Sequence, residues 1–496
     1  MKDPYLQLTD LVEKISHLGS IAGVMHWDSR TKMPEGVMPY RSEELAFLQE
    51  LSHKMMSSKR FGELLENVQT SKLGEWEKKN LRLIRKGRDS VLSVDSKLSE
   101  ALTKASMECG TVWVEARKRK SFKHILPSFK NLVGLVKETA DARANYFHTD
   151  TYTALLDMYD PNRSVNDVNK VVDSLKSFLP GFVKDVVEKQ KSWKQEDIKP
   201  KKINEDKQKE LGLFCMKTLG FDFKLGRLDK SVHPFCGGGT RDVRITTRYD
   251  ESDFVSSLMG VIHETGHAMY QLGLPEKYIL QPVGDHLGMS VHESQSLLME
   301  IQMSRSKEFC EFLVPHMKKI LGISGKGCTA ENMYRMRNKV TPSMIRVDAD
   351  EVTYLLHVIL RFELERDILN GNLALEDLPE AWNAKMKEYL GIKPANDAEG
   401  CLQDMHWYNG IFGYFPTYML GSMLSAQFFD RMKSDNKDTL DNVKSGNFKP
   451  IVKWLRNNIH SQGSLMDVSE LVTKVTQRDL DVEWYKGFLR SKFLDN

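Results

Sequence analysis

Cysteine is scarce and scattered. Cys109, Cys215, Cys236, Cys310, Cys328 and Cys401 are spread over 496 positions and none forms a CxxC pair. That argues against a disulfide scaffold and a structural zinc knuckle, and for a reducing compartment. Excess charge of either sign is also missing: 71 lysines and arginines face 68 acids, a net +3, so no polyanionic partner is implied. Basic runs at 117–120 and 199–202 read as solvated helix ends or linker and not as nucleic-acid contacts. Long apolar runs are absent, so no bilayer span is expected. The start, Met1-Lys2-Asp3-Pro4-Tyr5, lacks the apolar core of a signal peptide, and 492–496 carries no recognisable address. The expectation is a cytoplasmic protein without a nucleic-acid or membrane partner. What is present, 41% hydrophobic and 28% charged residues, suits a soluble globular chain with a sizeable core.

Apolar residues at three- and four-residue spacing predict helices over 6–18, 42–56, 75–87, 98–117, 126–146 and 165–193. Between the first two, 27–36 contains Pro34 and Gly36 and reads as a turn. The lysine-rich stretch 191–209 reads as a hinge, an exposed connector or a surface excursion. After Gly220, 221–225 and 243–249 alternate and predict short strands. Gly237-Gly238-Gly239 between them reads as a turn, because no phosphate-binding frame follows it. Helices are predicted again over 291–307, 310–321, 330–339, 352–370, 379–390, 416–433 and 449–455. The expected fold class is mainly α with one small β-sheet. It forms a single catalytic domain over 1–496, with a helical N-terminal lobe (1–200) and a second lobe (201–496) that holds the sheet.

The second lobe contains Val261-Ile262-His263-Glu264-Thr265-Gly266-His267-Ala268-Met269. Two histidines four apart on a helix lie one turn above one another, about 5–6 Å between Cβ atoms. Both imidazoles can then reach one Zn2+ at about 2.0–2.1 Å. Glu264 projects beside that position, where a carboxylate can take a proton from water. Phe254, Leu258, Val261, Ala268 and Leu272 form an apolar stripe that can bury. Ser256, Gly260, His263, His267 and Tyr270 form a separate face suited to line a cleft, and Gly273 stands where the helix would end. The strand region just upstream would place a sheet edge beside this helix, where an extended peptide could add as a strand.

A catalytic zinc site needs a third protein ligand and an open position for water. Glu276, Asp285, Glu293 and Glu300 are the acids downstream of His267. Glu276 and Asp285 lie in a Gly/Pro-bearing connection that would position a ligand less rigidly. Glu293 opens the next helix in His292-Glu293-Ser294-Gln295 and is chosen. Its alternative is a first-turn glutamate complementing the helix dipole.

With these residues in order, the chain resembles metallocarboxypeptidases of the carboxypeptidase Taq family. The shared marks are His233-Pro234-Phe235, Asp242-Val243-Arg244-Ile245-Thr246, His263 to His267, and His292-Glu293-Ser294-Gln295. Ile345-Arg346-Val347-Asp348-Ala349-Asp350 and Gly400-Cys401-Leu402-Gln403-Asp404-Met405-His406-Trp407 follow, and the Trp27-Asp28 and Met33-Pro34 region is similar too. The resemblance implies a two-lobed, helical, zincin-like fold with a deep groove, akin to neurolysin and angiotensin-converting enzyme. It also implies a homodimer that removes single C-terminal residues with broad specificity in a metal-dependent reaction, with little action on proline. Zn2+ is the expected ion, one per subunit, and Co2+ also suits an N/N/O donor set.

A carboxypeptidase must hold a free terminal carboxylate, which arginine does bidentately. Arg346 is the first candidate, and the matching family motif points to the same position. Its alternative is an ion pair with Asp348, Asp350 or Glu351. Arg244 is the second candidate, unless it holds the sheet edge with Asp242. His406 and Tyr418, with Tyr414 behind them, are candidates to donate to a developing oxyanion, though the two tyrosines fit equally as core aromatics. His233 is either a substrate contact or a capped loop histidine. Gln403 and Asp404 are read as groove wall. The rival functions are an endo-oligopeptidase or dipeptidyl carboxypeptidase on the same groove, or a non-catalytic helical interaction protein.

Overall fold

Polar side chains start many of the helices. Asp3 accepts the Tyr5 N–H at the head of helix Pro4–Ser29, and Asp95 accepts the Lys97 N–H ahead of Ser96–Arg119. Ser164 and Asp167 close a capping box before Val165–Gln190. The structure, a computed structural model, describes residues 3–198 and 202–495. Met1, Lys2, most of the basic run 199–202 and Asn496 lie outside those residues. Among them no helix is long and apolar enough to cross a membrane, and all six cysteines are free thiols.

The architecture is mainly helical, with one three-stranded sheet. Several elements differ from expectation. The first helix runs on to Ser29, through part of the turn expected at 27–36. Trp27, in its last turn, is buried, with the Arg244 and Arg227 guanidiniums 4.3 and 5.4 Å from its ring. A tertiary stack thus extends the helix past the end of its amphipathic pattern. The last five residues of the expected connector open helix Glu205–Leu219, capped by Asn204. Shorter helices such as Lys59–Glu66 and Val482–Arg490 went unpredicted.

The strands are β1 (Gly226–Lys230), β2 (Phe235–Gly239) and β3 (Asp242–Thr247), in the order β1-β3-β2. β1 runs parallel and β2 antiparallel to the central β3. The strand expected over 221–225 therefore begins later, because Leu225 turns back on Asp222. The triple glycine is not a turn but the end of β2. The first helix lies directly against it: a Cβ on Gly23 would come within 2.2 Å of the Gly238 carbonyl oxygen, and one on Gly239 within 2.6 Å of Ser20 Oγ. Glycine in a strand marks such a close approach.

One apolar core extends from Ala105 to Phe493, so helices from both sides of residue 200 pack into it. A second gathers residues between Ile203 and Val475. A smaller one joins Val243 and Ile245 of the sheet to Val261 and Ala268 of the metal helix, Phe254–Gly273. The apolar stripe expected on that helix is buried throughout. Tyr270, assigned to the cleft face, is instead fully buried and accepts the Leu287 N–H at 3.1 Å.

The helix expected over 291–307 is two pieces, Met289–Leu297 and a π-helical turn Leu298–Met303, and the helix expected over 310–321 starts earlier, at Lys307 behind a Ser306 cap. Such π turns often occur at functional sites. The helix Met289–Leu297 is wedged between the metal helix and Phe415–Asp435. A Cβ on Gly266 would lie 2.5 Å from Ser296 Cα, and one on Gly421 2.9 Å from Glu293 Cβ. Gly266→Ala should force the first pair of backbones apart and cost about 1–3 kcal/mol. Thermal unfolding should show a lower Tm, and an unchanged Tm would contradict this account of the packing.

Candidate metal centre

Helical spacing brings His263 and His267 together, with their ring centroids 4.9 Å apart. The neighbouring helix adds Glu293. Its Oε2 lies 3.3 Å from His267 Nε2 and 3.8 Å from His263 Nε2, and donor atoms of all three residues fall within 4.8 Å of one another. Ligands about 2.0–2.1 Å from a tetrahedral ion are about 3.3–3.5 Å apart, so this donor set fits a single divalent cation with little movement. Among the other acids weighed as ligands, Asp285 is exposed and the Glu276 side chain is 85% exposed.

Glu300 has a different task. Its Oε2 lies 3.0 Å from His263 Nδ1, while Oε1 accepts a hydrogen bond from Arg305 Nη2 at 2.9 Å. His267 Nδ1 lies 3.1 Å from the His292 carbonyl oxygen and 2.6 Å from His292 Nδ1. With each Nδ1–H so engaged, each Nε2 lone pair is directed at the triad, the usual arrangement behind metal-binding histidines. The π turn supplies Glu300 at that place, and no sequence motif announced it.

Glu264, Glu293 and Glu300 surround two imidazoles, an excess of negative charge suited to a cation. Burial alone would lower the His263 pKa, but Glu293, Glu300 and Glu264 raise it to about 10. Burial also raises Glu293, yet the two histidines more than offset this and hold its carboxyl below the usual range. Glu264, buried beside the pair, is raised by burial, which moves it toward the proton affinity a general base needs.

The facing wall is built around Asp404. Arg346, 5% exposed, points Nε and Nη2 at Asp404 Oδ1, 3.1 and 2.8 Å away, and donates from Nη1 to Tyr354 Oη at 2.9 Å. Arg361, with no exposed surface, donates to the other Asp404 oxygen at 2.6 Å and to Gln403 Oε1 at 2.8 Å. Arg346 thus pairs with none of Asp348, Asp350 and Glu351. Asp350 instead accepts backbone N–H groups of Val352 and Thr353. Two guanidiniums share one carboxylate, so the group keeps a positive charge. Arg361 and Tyr354 were missed, although a lone arginine in the apolar run 355–364 was a signal.

His406 Nε2 lies 3.2 Å from Tyr418 Oη, and the Arg346 guanidinium stands 4.9 Å from the Tyr418 ring centroid. Burial and the two arginines push His406 down to about 4 against the opposing pull of Asp404, leaving a neutral imidazole near pH 7. Tyr414 packs edge-on against Tyr418 at 5.2 Å and against Tyr159 at 5.0 Å. Glu365, fully buried, fastens this loop by accepting the Gly413 N–H at 2.9 Å and the Tyr152 O–H at 3.0 Å, and its burial pushes its pKa up to about 8.

Helix Phe415–Asp435 joins the two halves, since Gly421 presses on Glu293 and Tyr418, one turn earlier, lies beside Arg346. Two sequence candidates stand apart from this group. Arg244 forks onto Asp242, with Nε 2.9 Å from Oδ1, and stacks on Trp27. His233 is exposed in the turn between β1 and β2, where its carbonyl accepts the Ser231 hydroxyl at 2.6 Å.

Removing the Glu300 carboxylate leaves His263 Nδ1 without its acceptor. Glu300→Ala should weaken metal binding about 10- to 100-fold, measured by competition with a chromogenic chelator. Unchanged affinity would show that the ring is held by packing alone.

The chain matches the profile of the family described as carboxypeptidase Taq (M32) metallopeptidase over residues 7–493. It is 34% identical to thermostable carboxypeptidase 1 of Thermus thermophilus, over 99% of this chain and 98% of that protein. It is 36% identical to carboxypeptidase 1 of Bacillus subtilis, over 98% and 97%. Among solved structures, metallocarboxypeptidase 1 of Trypanosoma cruzi superposes with a TM-score of 0.96 at 37% identity, covering 99% of both chains. The Pyrococcus furiosus carboxypeptidase gives 0.93 at 32%, covering 100% of this chain and 99% of that one. The chain belongs to the carboxypeptidase Taq (M32) metallopeptidase family and is a metallocarboxypeptidase, a peptide hydrolase that requires a divalent metal ion.

Proposed function

We propose that the enzyme releases single C-terminal residues from peptides with broad specificity, and that His263, His267 and Glu293 hold Zn2+, with Co2+ an alternative. The observation that carries this reading is the single helix Phe415–Asp435, which touches a metal ligand through Gly421 and the Arg346 cluster through Tyr418. The two contacts lie about one helical turn apart, so one rigid element holds the triad and a carboxylate-binding arginine on the same side of the molecule's site.

When bound, the ion supplies a Lewis acid and lowers the pKa of coordinated water. Glu264 accepts the proton of the attacking water and returns it to the leaving amine. His406 and Tyr418 donate to the oxygen on which charge develops, with Tyr414 supporting Tyr418. Arg346 receives the terminal carboxylate. Three of the five N–H donors of its guanidinium are engaged by Asp404 and Tyr354, so two remain, and the charge shared with Arg361 is not fully offset. Arg244 and His233 flank the substrate path from the sheet side, and the outer edge of β2 is where an extended peptide would pair.

The two-lobed, zincin-like fold akin to neurolysin and angiotensin-converting enzyme, the single catalytic domain over 1–496, the cytoplasmic location and the homodimer belong to the same proposal. Free thiols support the location. Helix Met38–Ser57 buries none of its residues and exposes Tyr40 and Phe47 on one side, an apolar strip of the kind that a second copy would cover.

Glu264→Gln should keep its metal stoichiometry while kcat falls by about two to four orders of magnitude. Substantial turnover by the metal-loaded variant would remove Glu264 from this role. Digestion of a peptide mixture with and without chelator, read by mass spectrometry, should show loss of one residue at a time, abolished by the chelator and poor on C-terminally amidated peptides. Dipeptide or internal products, or equal cleavage of amidated peptides, would overturn the proposed exopeptidase geometry.

A further inference from the structure

The helix that carries Glu293 does not cap itself. Met289–Leu297 starts after Gly288, whose φ is +124° and which has no side chain to offer the first N–H groups. Serine, threonine, asparagine or aspartate usually stands at such a position, because its oxygen accepts an N–H of the first turn. Here the oxygens come from far back in the chain. The Tyr159 carbonyl accepts the Met289 N–H at 2.7 Å, and Asp160 Oδ1 accepts the Ser290 hydroxyl.

Both residues belong to the turn 157–163 between helices Thr151–Leu156 and Val165–Gln190. This turn is fastened from its own side. Lys86 Nζ donates to Asp157 Oδ1 at 2.8 Å, and the same oxygen accepts the Asn162 N–H at 2.9 Å. Arg163 Nε donates to Asp160 Oδ2 at 3.3 Å. Asp160 and Ser290 have no exposed surface, so bulk water does not compete for their bond. The approach leaves no slack: a Cβ on Gly288 would lie 2.9 Å from Pro161 Cδ and 3.2 Å from the Tyr159 carbonyl oxygen.

Ser290 stands three residues ahead of Glu293, on the same helix face. That face presses on Phe415–Asp435, since a Cβ on Gly421 would lie 2.9 Å from Glu293 Cβ and 3.1 Å from the Ser290 carbonyl oxygen. Close contacts of this kind stop the helix from moving inward. They resist sliding and turning about its own axis far less. A directional bond from its first turn to a fixed carboxylate supplies that restraint, and a metal ligand needs its place held to within about 0.5 Å.

We propose that Asp160 is a positioning residue for the metal ligand Glu293. It caps the ligand helix from 130 positions upstream of Ser290, and through Ser290 it sets where Glu293 meets His263 and His267. The assignment rests on the reading above, in which those three residues hold the ion.

The test measures Zn2+ affinity of the full-length protein by competition with a chromogenic chelator, together with the Tm of the metal-free protein. D160A should weaken Zn2+ binding about 10- to 100-fold, as loss of a group behind a ligand does. D160N keeps an oxygen for the Ser290 hydroxyl and should recover most of that loss. S290A should weaken binding in the same direction, and the D160A/S290A double variant should bind no worse than D160A, because both remove one shared interaction. Wild-type affinity in D160A with only a lowered Tm overturns the proposal, since Asp160 would then serve stability alone. Losses that add in the double variant overturn it too. If D160A does not fold, S290A decides: wild-type Zn2+ affinity there overturns the proposal, and weakened affinity upholds it. E293A separates this proposal from the ligand reading. Unchanged Zn2+ binding in E293A would sink that reading and the positioning role with it, whereas a large loss in E293A with none in D160A or S290A removes only the role of Asp160.

Discussion

Everything in this centre depends on how closely one short helix can lie between two others. Met289–Leu297 carries Glu293, and it reaches His263 and His267 only because Gly266 faces Ser296 and Gly421 faces Glu293 with no side chain between. Protein interiors pack too densely to absorb an added methyl group without backbone movement. The distances of 3.3 and 3.8 Å from Glu293 to the two imidazoles follow from that contact.

Two further constraints sharpen the arrangement, and both are electrostatic. Behind the histidines, Glu300 and the His292 carbonyl oxygen engage each Nδ1 and leave each Nε2 facing the metal position. Across from them, Asp404 sits between Arg346 and Arg361. Burying two guanidiniums is tolerable only with hydrogen-bonded partners, and Asp404, Gln403, Tyr354 and the His357 carbonyl supply them. The residual charge is available to a substrate carboxylate. One wall thus suits a cation and the other an anion.

Much of this was legible in the residues. The spacing of His263 and His267 follows from helical geometry alone, and Glu293 could be chosen because it lies on the next helix, although that helix starts at Met289 and so places Glu293 beyond its first turn. The helical class and the presence of a small sheet near Val243 were equally visible as apolar periodicity. The misses share a cause. Gly237-Gly238-Gly239 looked like a turn because nothing local reveals that the first helix presses on it. The π turn at Leu298–Met303 looked like an ordinary helix because one extra residue per turn leaves little trace in hydrophobic spacing. Asp404 looked like groove wall because its partners stand some forty to sixty positions away.

The sequence by itself determined the chemistry on offer: a two-histidine, one-glutamate donor set, a glutamate beside it to carry protons, and arginines able to read carboxylates. These are properties of residue type and of spacing within a single helix. Only the tertiary structure decided which carboxylate stands behind His263 and which stands between the two imidazoles, and which arginine is held by Asp404 and which by Asp242. Those outcomes hang on contacts between residues far apart in the chain, and no local pattern encodes the distance between two helices.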